Sequence, residues 1–308
     1  MTGVAAATPL SPTLEEVDDT DLPTKRKGWG IATYIAAGWL ILIVLAAILA
    51  PVLPLNDPAA QVAQKRLAPF QPGEPILGTD ASGRDMLARV IFGARMSLFI
   101  SFSAVMIGWV VGGVLGLLSG YFRNWIGNAL VSLFDILLAI PQLVLALSLV
   151  SVLKGNPADP DSHGLPIPLT LIFALGLVSI PLLARITRAS TLTWSQREFV
   201  MAARAQGATH GRILFREVLP NVLPAMASIA LLGMAIAIVA EGGLAILGAS
   251  VEPPTATWGT MIATGKTDLE EAPFIVWIPV AAVCFTAASL NYLGDAIRDH
   301  FDVRESAL

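Results

Sequence analysis

The chain has 308 residues, of which 55% are hydrophobic and 14% are charged, and its formal net charge is −4. This composition excludes an ordinary soluble domain and predicts a membrane protein. A single cysteine, Cys284, excludes an intrachain disulfide and a cysteine metal cluster.

Residues 1–28 are predicted to form a disordered tail, because their acids and prolines come with few large apolar side chains. The basic residues Lys25, Arg26 and Lys27 then precede an apolar run that is too long for a cleaved signal peptide. We therefore expect a retained first span within residues 29–54. The positive-inside rule predicts that the N-terminus is cytoplasmic.

Six apolar stretches have the length of about 20 residues that a helix needs to cross a bilayer. Five of them contain no Asp, Glu, Lys or Arg, and the other contains only Asp135. They predict an all-α polytopic membrane protein with spans at Ile31–Leu53, Met96–Phe122, Asn124–Leu153, Leu165–Ala184, Val218–Ala240 and Ala272–Gly294. Alternation of sides places 12 of the 19 basic residues in the cytoplasm. It also places the loop 157–162 outside, and the tail 298–308 in the cytoplasm after a five-helix core at 96–297.

The extracytoplasmic segment 55–95 contains the stretch LGTDASGRDMLARVIFGARMSL, from Leu77 to Leu98. Its acids Asp80 and Asp85 lack the alternating spacing of a calcium loop, so no metal site is predicted. The glycines predict a tight turn, Asp85 is expected to cap a helix, and Met86–Ala94 is expected to be a short interfacial helix. The arginines of this segment either contact lipid phosphates or hold the turn together: Arg84, Arg89 and Arg95.

Two carboxylates, Asp135 and Glu241, lie within apolar runs. Acids inside a membrane are costly, and they face a path, a partner or the bundle interior. Both residues are therefore candidates for a translocation path. The alternative is that they are structural groups bonded to polar neighbours. Helix irregularity is expected beside Glu241, at Gly242–Gly243.

The loop 197–220 is polar and rich in arginine, so it must lie at a membrane surface rather than in hydrocarbon. It predicts a short helix from Arg197 to Gln206 that Gly207 ends in a left-handed conformation. A second short helix, His210–Val218, is expected before Pro220. The small alanines favour close approach by a soluble partner, and the alternative is an amphipathic helix that covers the bundle.

The stretch Glu198–Pro220 resembles the cytoplasmic coupling loop of binding-protein-dependent ABC importer permeases, with Met201 at the position of the motif's glutamate. Leu77–Leu98 is similar to the signature of the dipeptide, oligopeptide and nickel permease subfamily. The stretches LFDILLAIPQLVLA and EGGLAILGASVEPP extend this resemblance to about residues 30–304.

The resemblance implies a type I ABC importer permease in the bacterial plasma membrane, with both termini cytoplasmic and no cofactor. It implies a second, related permease, two ABC ATPase subunits or domains, an external binding protein and membrane lipid as partners. Peptides are the implied substrates, and nickel chelates are the alternative. The outer segments after Asn56 and Gly248 are implied to receive the binding protein, with Asp80, Arg84 and Asp85 as candidates. The implied ATPase-coupling residues are Glu198, Ala202, Ala203, Arg204, Gly207, Arg212, Arg216 and Pro220.

Other functions fit the sequence less well. Gly265-Lys266-Thr267 has Thr260 where a phosphate-binding loop needs glycine, so no ATPase site and no enzyme activity are predicted. Nucleic-acid binding is not expected, because no aromatic stacking residues accompany the arginines. A secondary transporter would show paired halves with broken helices, and a scaffold would need neither a coupling loop nor intramembrane acids. Co-purification of an ATPase would separate an importer permease from both.

Overall fold

A computed structural model describes residues 30–155 and 164–305, with the backbone alone for 301–305. Throughout these residues the regular structure is helical, apart from isolated β-bridges between residues 61 and 84 and between residues 79 and 85. The predicted tail 1–28, the outer loop 157–162 and the last three residues of the predicted C-terminal tail lie outside the described residues. The α-helices are α1 (Ile31–Leu49), α2 (Met86–Ile107), α3 (Gly113–Tyr121), α4 (Trp125–Ala139), α5 (Gln142–Leu153), α6 (Ile167–Trp194), α7 (Glu198–Ala205), α8 (His210–Arg212), α9 (Leu219–Ile246), α10 (Trp258–Gly265) and α11 (Phe274–Glu305).

Two stretches of wider π-helix join α-helices into longer rods. Gly108–Gly112 joins α2 to α3, and Ile213–Val218 joins α8 to α9. Five helical stretches are then long and apolar enough to cross a membrane: Ile31–Leu49, Met86–Tyr121, Ile167–Trp194, His210–Ile246 and Phe274–His300. The prediction of six crossings holds if α4 and α5, which meet at a bend of 93°, are counted as one broken span.

Several sequence-based boundaries were wrong. The first span ends at Leu49, two residues before Pro51, rather than at Leu53. Met86–Ala94 is not a separate interfacial helix, because it forms the first turns of α2. Residues 210–218 likewise continue into α9 instead of forming a separate short helix.

The remaining differences concern the broken third span and the ends of the others. The predicted third span is interrupted at Ile140–Pro141, where backbone ψ angles of 131° and 119° leave the helical region. Helix α9 passes through Gly242–Gly243 and continues to Ile246, so the irregularity expected beside Glu241 is absent there. Helices α6 and α11 run on to Trp194 and Glu305, beyond the predicted ends of their spans.

Glycines let the π-helical stretch Gly108–Gly112 and α3 pack closely against α6. They recur at every fourth position, so they lie on one face of the rod. A Cβ at Gly112 would lie 2.7 Å from the Ile180 carbonyl oxygen, and one at Gly116 would lie 2.4 Å from that of Ala184. Backbones this close exclude any larger residue, as in other small-residue helix contacts in membranes. The glycines of this stripe are Gly108, Gly112, Gly116 and Gly120.

The bundle is organised around α6 and α9, with α1 at its edge. Helix α9 contacts α2, α6, α10 and α11, whereas α1 packs mainly on α11 and α2. Trp39 on α1 donates a hydrogen bond from Nε1 to Thr286 Oγ1 on α11, at 3.1 Å. Most large side chains of α1 are exposed, including Ile31 and Leu42, as expected for a helix that faces lipid.

Candidate coupling surface and membrane path

The turn at Gly207 ends α7 in the predicted left-handed conformation, with φ +78°. The N–H of Gly207 donates to the Arg204 carbonyl, and the N–H of Ala208 donates to the Ala203 carbonyl, each at 3.0 Å. These two bonds are the pattern of a Schellman cap. Thr209 then caps the following helix, because its side chain accepts from the Arg212 N–H. The loop therefore has one defined conformation that depends on Gly207.

The inner face of this loop is anchored in an apolar cluster beneath it. Val200, Ile213 and Val218 are fully buried, and Ala203 packs against the same cluster. Leu117 and Tyr121 of α3 and Val222 and Met226 of α9 belong to the same cluster. The loop is thus attached to the ends of two helical rods.

Aromatic and basic side chains add two further attachments. The hydroxyl oxygen of Tyr121, the last residue of α3, lies 3.0 Å from His210 Nδ1. The Arg204 guanidinium lies over the Tyr121 ring at 5.4 Å, and that of Arg197 lies over the Trp194 ring at the same distance. Cation–π contacts of this kind hold the arginines against the loop.

The face of this loop that points away from the apolar cluster is uncovered, and it carries both apolar and basic side chains. Met201 is 53% exposed and Phe215 is 66% exposed. Glu198 forms no ion pair or hydrogen bond with any described residue, and Ala202 is exposed beside Met201. Exposed apolar side chains among polar ones are typical of a protein-binding surface. Arg212, Arg216 and Pro220 are exposed on the following rod.

The outer segment contains a buried network around Asp80. Its carboxylate accepts from the backbone N–H groups of Ser82 and Arg84 and from Arg84 Nε, at 2.8–3.0 Å. Arg89 Nε lies 3.4 Å from the same carboxylate. Arg84 and Arg89 thus hold the turn together, which is one of the two roles expected from the sequence.

Asp85 caps α2, as predicted. Its Oδ1 accepts from the N–H groups of Leu87 and Ala88, and its Oδ2 accepts from Asn56 Nδ2 at 2.8 Å. Asp80 and Asp85 are 7% and 5% exposed. These contacts give the two carboxylates a structural role, and docking of a binding protein at Asp80, Arg84 and Asp85 stays a prediction.

A second contact ties the outer segment to the loop after α10. Arg66 donates from Nε to Asp268 Oδ1 at 2.8 Å and also pairs with Glu271. The hydrogen bond to Asp268 and the negative charges of both acids raise the pKa of the Arg66 guanidinium above its ordinary value. Arg89 Nη1 reaches the carbonyls of Pro58 and Pro254. The outer segment is therefore fixed to the bundle at both ends.

Glu241 is fully buried and accepts hydrogen bonds from three other parts of the chain. Ser250 and Thr257 donate to Oε1, each at 2.8 Å, and Ser97 donates to Oε2 at 3.4 Å. The backbone of Gly259 also bonds to this carboxylate. These contacts favour the structural alternative for Glu241, because it links α9 to α2 and to the start of α10.

Asp135 has a different environment. It is 55% exposed and lies 3.9 Å from Arg185, which is 67% exposed. With Arg188 these side chains line a pocket of about 140 Å³ between α4 and α6. Asp135 is therefore near charged partners and open, as a path residue would be.

A larger cavity of about 400 Å³ lies within the bundle, between α5, α6, α9 and α11. Its wall is mostly apolar, and its polar side chains are Gln142, Ser179 and Asn291. Gln142 follows directly on the break between α4 and α5. The wall carries no ionised side chain.

Comparison with known proteins identifies the family. A model of the binding-protein-dependent transport system inner membrane component matches residues 112–306. The chain belongs to this family. It is a permease of the ABC importer type, and ATP hydrolysis belongs to a separate subunit.

Curated relatives cover most of the permease. The di/tripeptide transport system permease protein DppC of Pseudomonas aeruginosa (strain UCBPP-PA14) is 36% identical, over 86% of this chain and 85% of its own. The glutathione transport system permease protein GsiD of Pectobacterium atrosepticum is 30% identical, over 87% and 86%. The inward-facing MetNI methionine ABC transporter aligns with a TM-score of 0.57 at 17% identity, over 70% of this chain and 97% of its own. The permease therefore has the predicted type I importer fold.

Sequence reasoning missed several residues that the permease brings to these sites. Tyr121 and His210 join the loop to α3, and Arg185 and Arg188 lie beside Asp135. The partners of Glu241 were also missed, although the Thr257-x-x-Thr260 spacing resembles a helix capping box, which the structure forms. Arg185 and Arg188 were expected only as cytoplasmic charges, and nothing local in the sequence links them to Asp135.

Proposed function

We propose that this chain is a transmembrane subunit of an ATP-driven importer for di- and oligopeptides. The observation that carries the proposal is the loop 197–220, which packs on the ends of two helical rods and leaves Met201 and Phe215 uncovered. The family and the names of its relatives supply the substrate class, because those relatives are peptide and glutathione permeases.

The complete importer contains a second, related permease, two ATPase subunits or domains and an external binding protein. The cavity between α5, α6, α9 and α11 is only partly enclosed by this chain, which supports pairing with a second permease. The loop 197–220 seats against an ATPase, and the outer segment with the residues after Gly248 receives the binding protein. Closure of the ATPases pushes on the loop, and the two attached rods move with it.

Both termini lie in the cytoplasm of a bacterium, and the chain crosses its inner membrane. The clustering of basic residues around the loop 197–220 supports this orientation. In a Cys284→Ala background, an impermeant thiol reagent should label Glu74→Cys in intact spheroplasts and label Gln206→Cys only after lysis. The reverse pattern would contradict the orientation.

Peptide uptake by a bacterial strain that lacks the gene for this permease tests the substrate class. The strain should fail to take up labelled di- and tripeptides, and the chain expressed in trans should restore uptake. Nickel-chelate uptake is measured in the same cells as the comparison. Loss of nickel uptake with normal peptide uptake would overturn the peptide assignment.

A further inference from the structure

The charges at Asp135, Arg185 and Arg188 lie where the apolar part of α6 ends, on the side of the coupling loop. The apolar residues 165–184 span about 30 Å as a helix, which is the thickness of the hydrocarbon layer, so Arg185 lies at its edge. Exposed charges at this edge usually face water, a headgroup or another protein rather than lipid chains. The exposed side chains of Asp135 and Arg185 are therefore available to a polar ligand.

The face of α6 that carries Arg185 also lines the larger cavity. Val178 and Leu182 are cavity residues four positions apart, and Arg185 follows Leu182 by three positions. Residues at these spacings lie on one helix face. Arg185 is thus the next position along the cavity wall, on the side of the coupling loop.

The hydrogen-bonding capacity of this group is largely unused. Arg185 and Asp135 are 3.9 Å apart, which is longer than a hydrogen bond, and neither forms one with any other described residue. Arg188 uses Nε to reach the Ser119 carbonyl at 3.4 Å, and its terminal nitrogens form no hydrogen bond within the described part of the chain. Two guanidinium groups against one carboxylate leave one positive charge.

We propose that Arg185 and Arg188, with Asp135 as counter-ion, bind the carboxylate of the substrate as it leaves the cavity. The proposal rests on the proposed function, because every unmodified linear peptide carries a terminal carboxylate. Guanidinium groups match that geometry with paired N–H donors. The uncharged cavity wall tolerates varied side chains, and the arginines recognise the group that all such substrates share.

Labelling of an introduced cysteine with charged thiol reagents tests the site. The complete importer, carrying Cys284→Ala, is reconstituted in neutral lipid without nucleotide. The reporter is Leu182→Cys, and the control is Leu177→Cys, an exposed residue on a different face of α6. Anionic and cationic methanethiosulfonates are compared, each normalised to its rate with a free thiol. We expect the Leu182→Cys thiol to react about fivefold faster with the anionic reagent. Arg188→Gln should remove this preference, Arg188→Lys should keep it, and Leu177→Cys should show none.

Protection experiments identify the bound anion. A millimolar dipeptide should slow labelling of Leu182→Cys, and the same dipeptide with an amidated C-terminus should not. If a lipid phosphate occupied the site, anionic lipid would slow labelling and neither dipeptide would.

Equal reagent rates, absence of labelling at Leu182→Cys, or equal protection by both dipeptides would overturn the proposal. Peptide uptake by the same liposomes without cysteine substitutions is measured in parallel. Normal peptide uptake together with equal labelling by the two reagents would contradict the carboxylate site and leave the proposed function intact. Absence of peptide uptake would contradict the proposed function.

Discussion

At the scale of single residues, Asp80 shows how a buried charge stabilises the outer segment. One carboxylate pairs with both Arg84 and Arg89 and also accepts two backbone N–H groups. Removing one partner of a buried network leaves the others desolvated and unpaired. The turn before α2 therefore depends on this carboxylate more than on either arginine.

Asp80→Asn should lower the free energy of unfolding by about 2–4 kcal/mol, because the buried Arg89 and the partly buried Arg84 lose their counter-charge. The measurement is the midpoint of thermal unfolding in detergent, together with membrane abundance. Glu74→Gln is the matched control, since Glu74 is exposed and unpaired among the described residues. Wild-type stability with a selective loss of binding-protein docking would instead favour the predicted docking role of Asp80.

A comparison of Gly207 with Gly211 separates the effect of backbone conformation from the effect of added side-chain volume. A Cβ at either position would meet no atom within 4 Å, but only Gly207 has a positive φ. Substitution at Gly207 is therefore opposed by backbone strain of about 1–2 kcal/mol, whereas Gly211 lies in a helix that accepts alanine.

At the scale of elements, the coupling loop connects two rods. Helix α7 ends in the cap at Gly207, and the next helix continues through the π-helical stretch Ile213–Val218 into α9. Pro220 follows this stretch, and its missing N–H is tolerated where the helix is already widened. Because no flexible linker separates the loop from α9, a displacement of the loop moves the rod.

Gly207→Ala should weaken attachment of the ATPase by about tenfold, since strain at the cap re-orients α7. Gly211→Ala, with the same added volume, should leave attachment unchanged. The measurement is retention of the ATPase during purification across a dilution series, with membrane abundance of the permease as the control. Equal retention in both variants would show that the cap conformation does not set the docking surface.

At the scale of the whole molecule, local features could be predicted from the sequence and long-range ones could not. The cap at Gly207 and the N-cap at Asp85 depend on neighbouring residues, so both were predicted. The break at Pro141 was missed because the apolar composition continues across it. The partners of Glu241 were missed because Ser97 lies 144 residues away in the chain.

The pairing of Asp135 with Arg185 illustrates the same limit. The two residues are 50 positions apart in the chain, on either side of the break between α4 and α5. Tertiary packing, rather than a local sequence pattern, brings them together. The lengths of α2 and α6 were also underestimated, since residues 86–95 and 185–194, which include charged and polar side chains, extend these apolar helices. Composition therefore located the spans but not their ends.

The central claim is that ATP hydrolysis drives transport through the loop 197–220. It is tested most directly by peptide uptake and binding-protein-stimulated ATP hydrolysis in liposomes that contain the complete importer. ATPase content is equalised among wild type, Gly207→Ala and Gly211→Ala. We expect Gly207→Ala to lower uptake per ATP hydrolysed severalfold and Gly211→Ala to match wild type. Normal uptake per ATP in Gly207→Ala would contradict transmission through this loop.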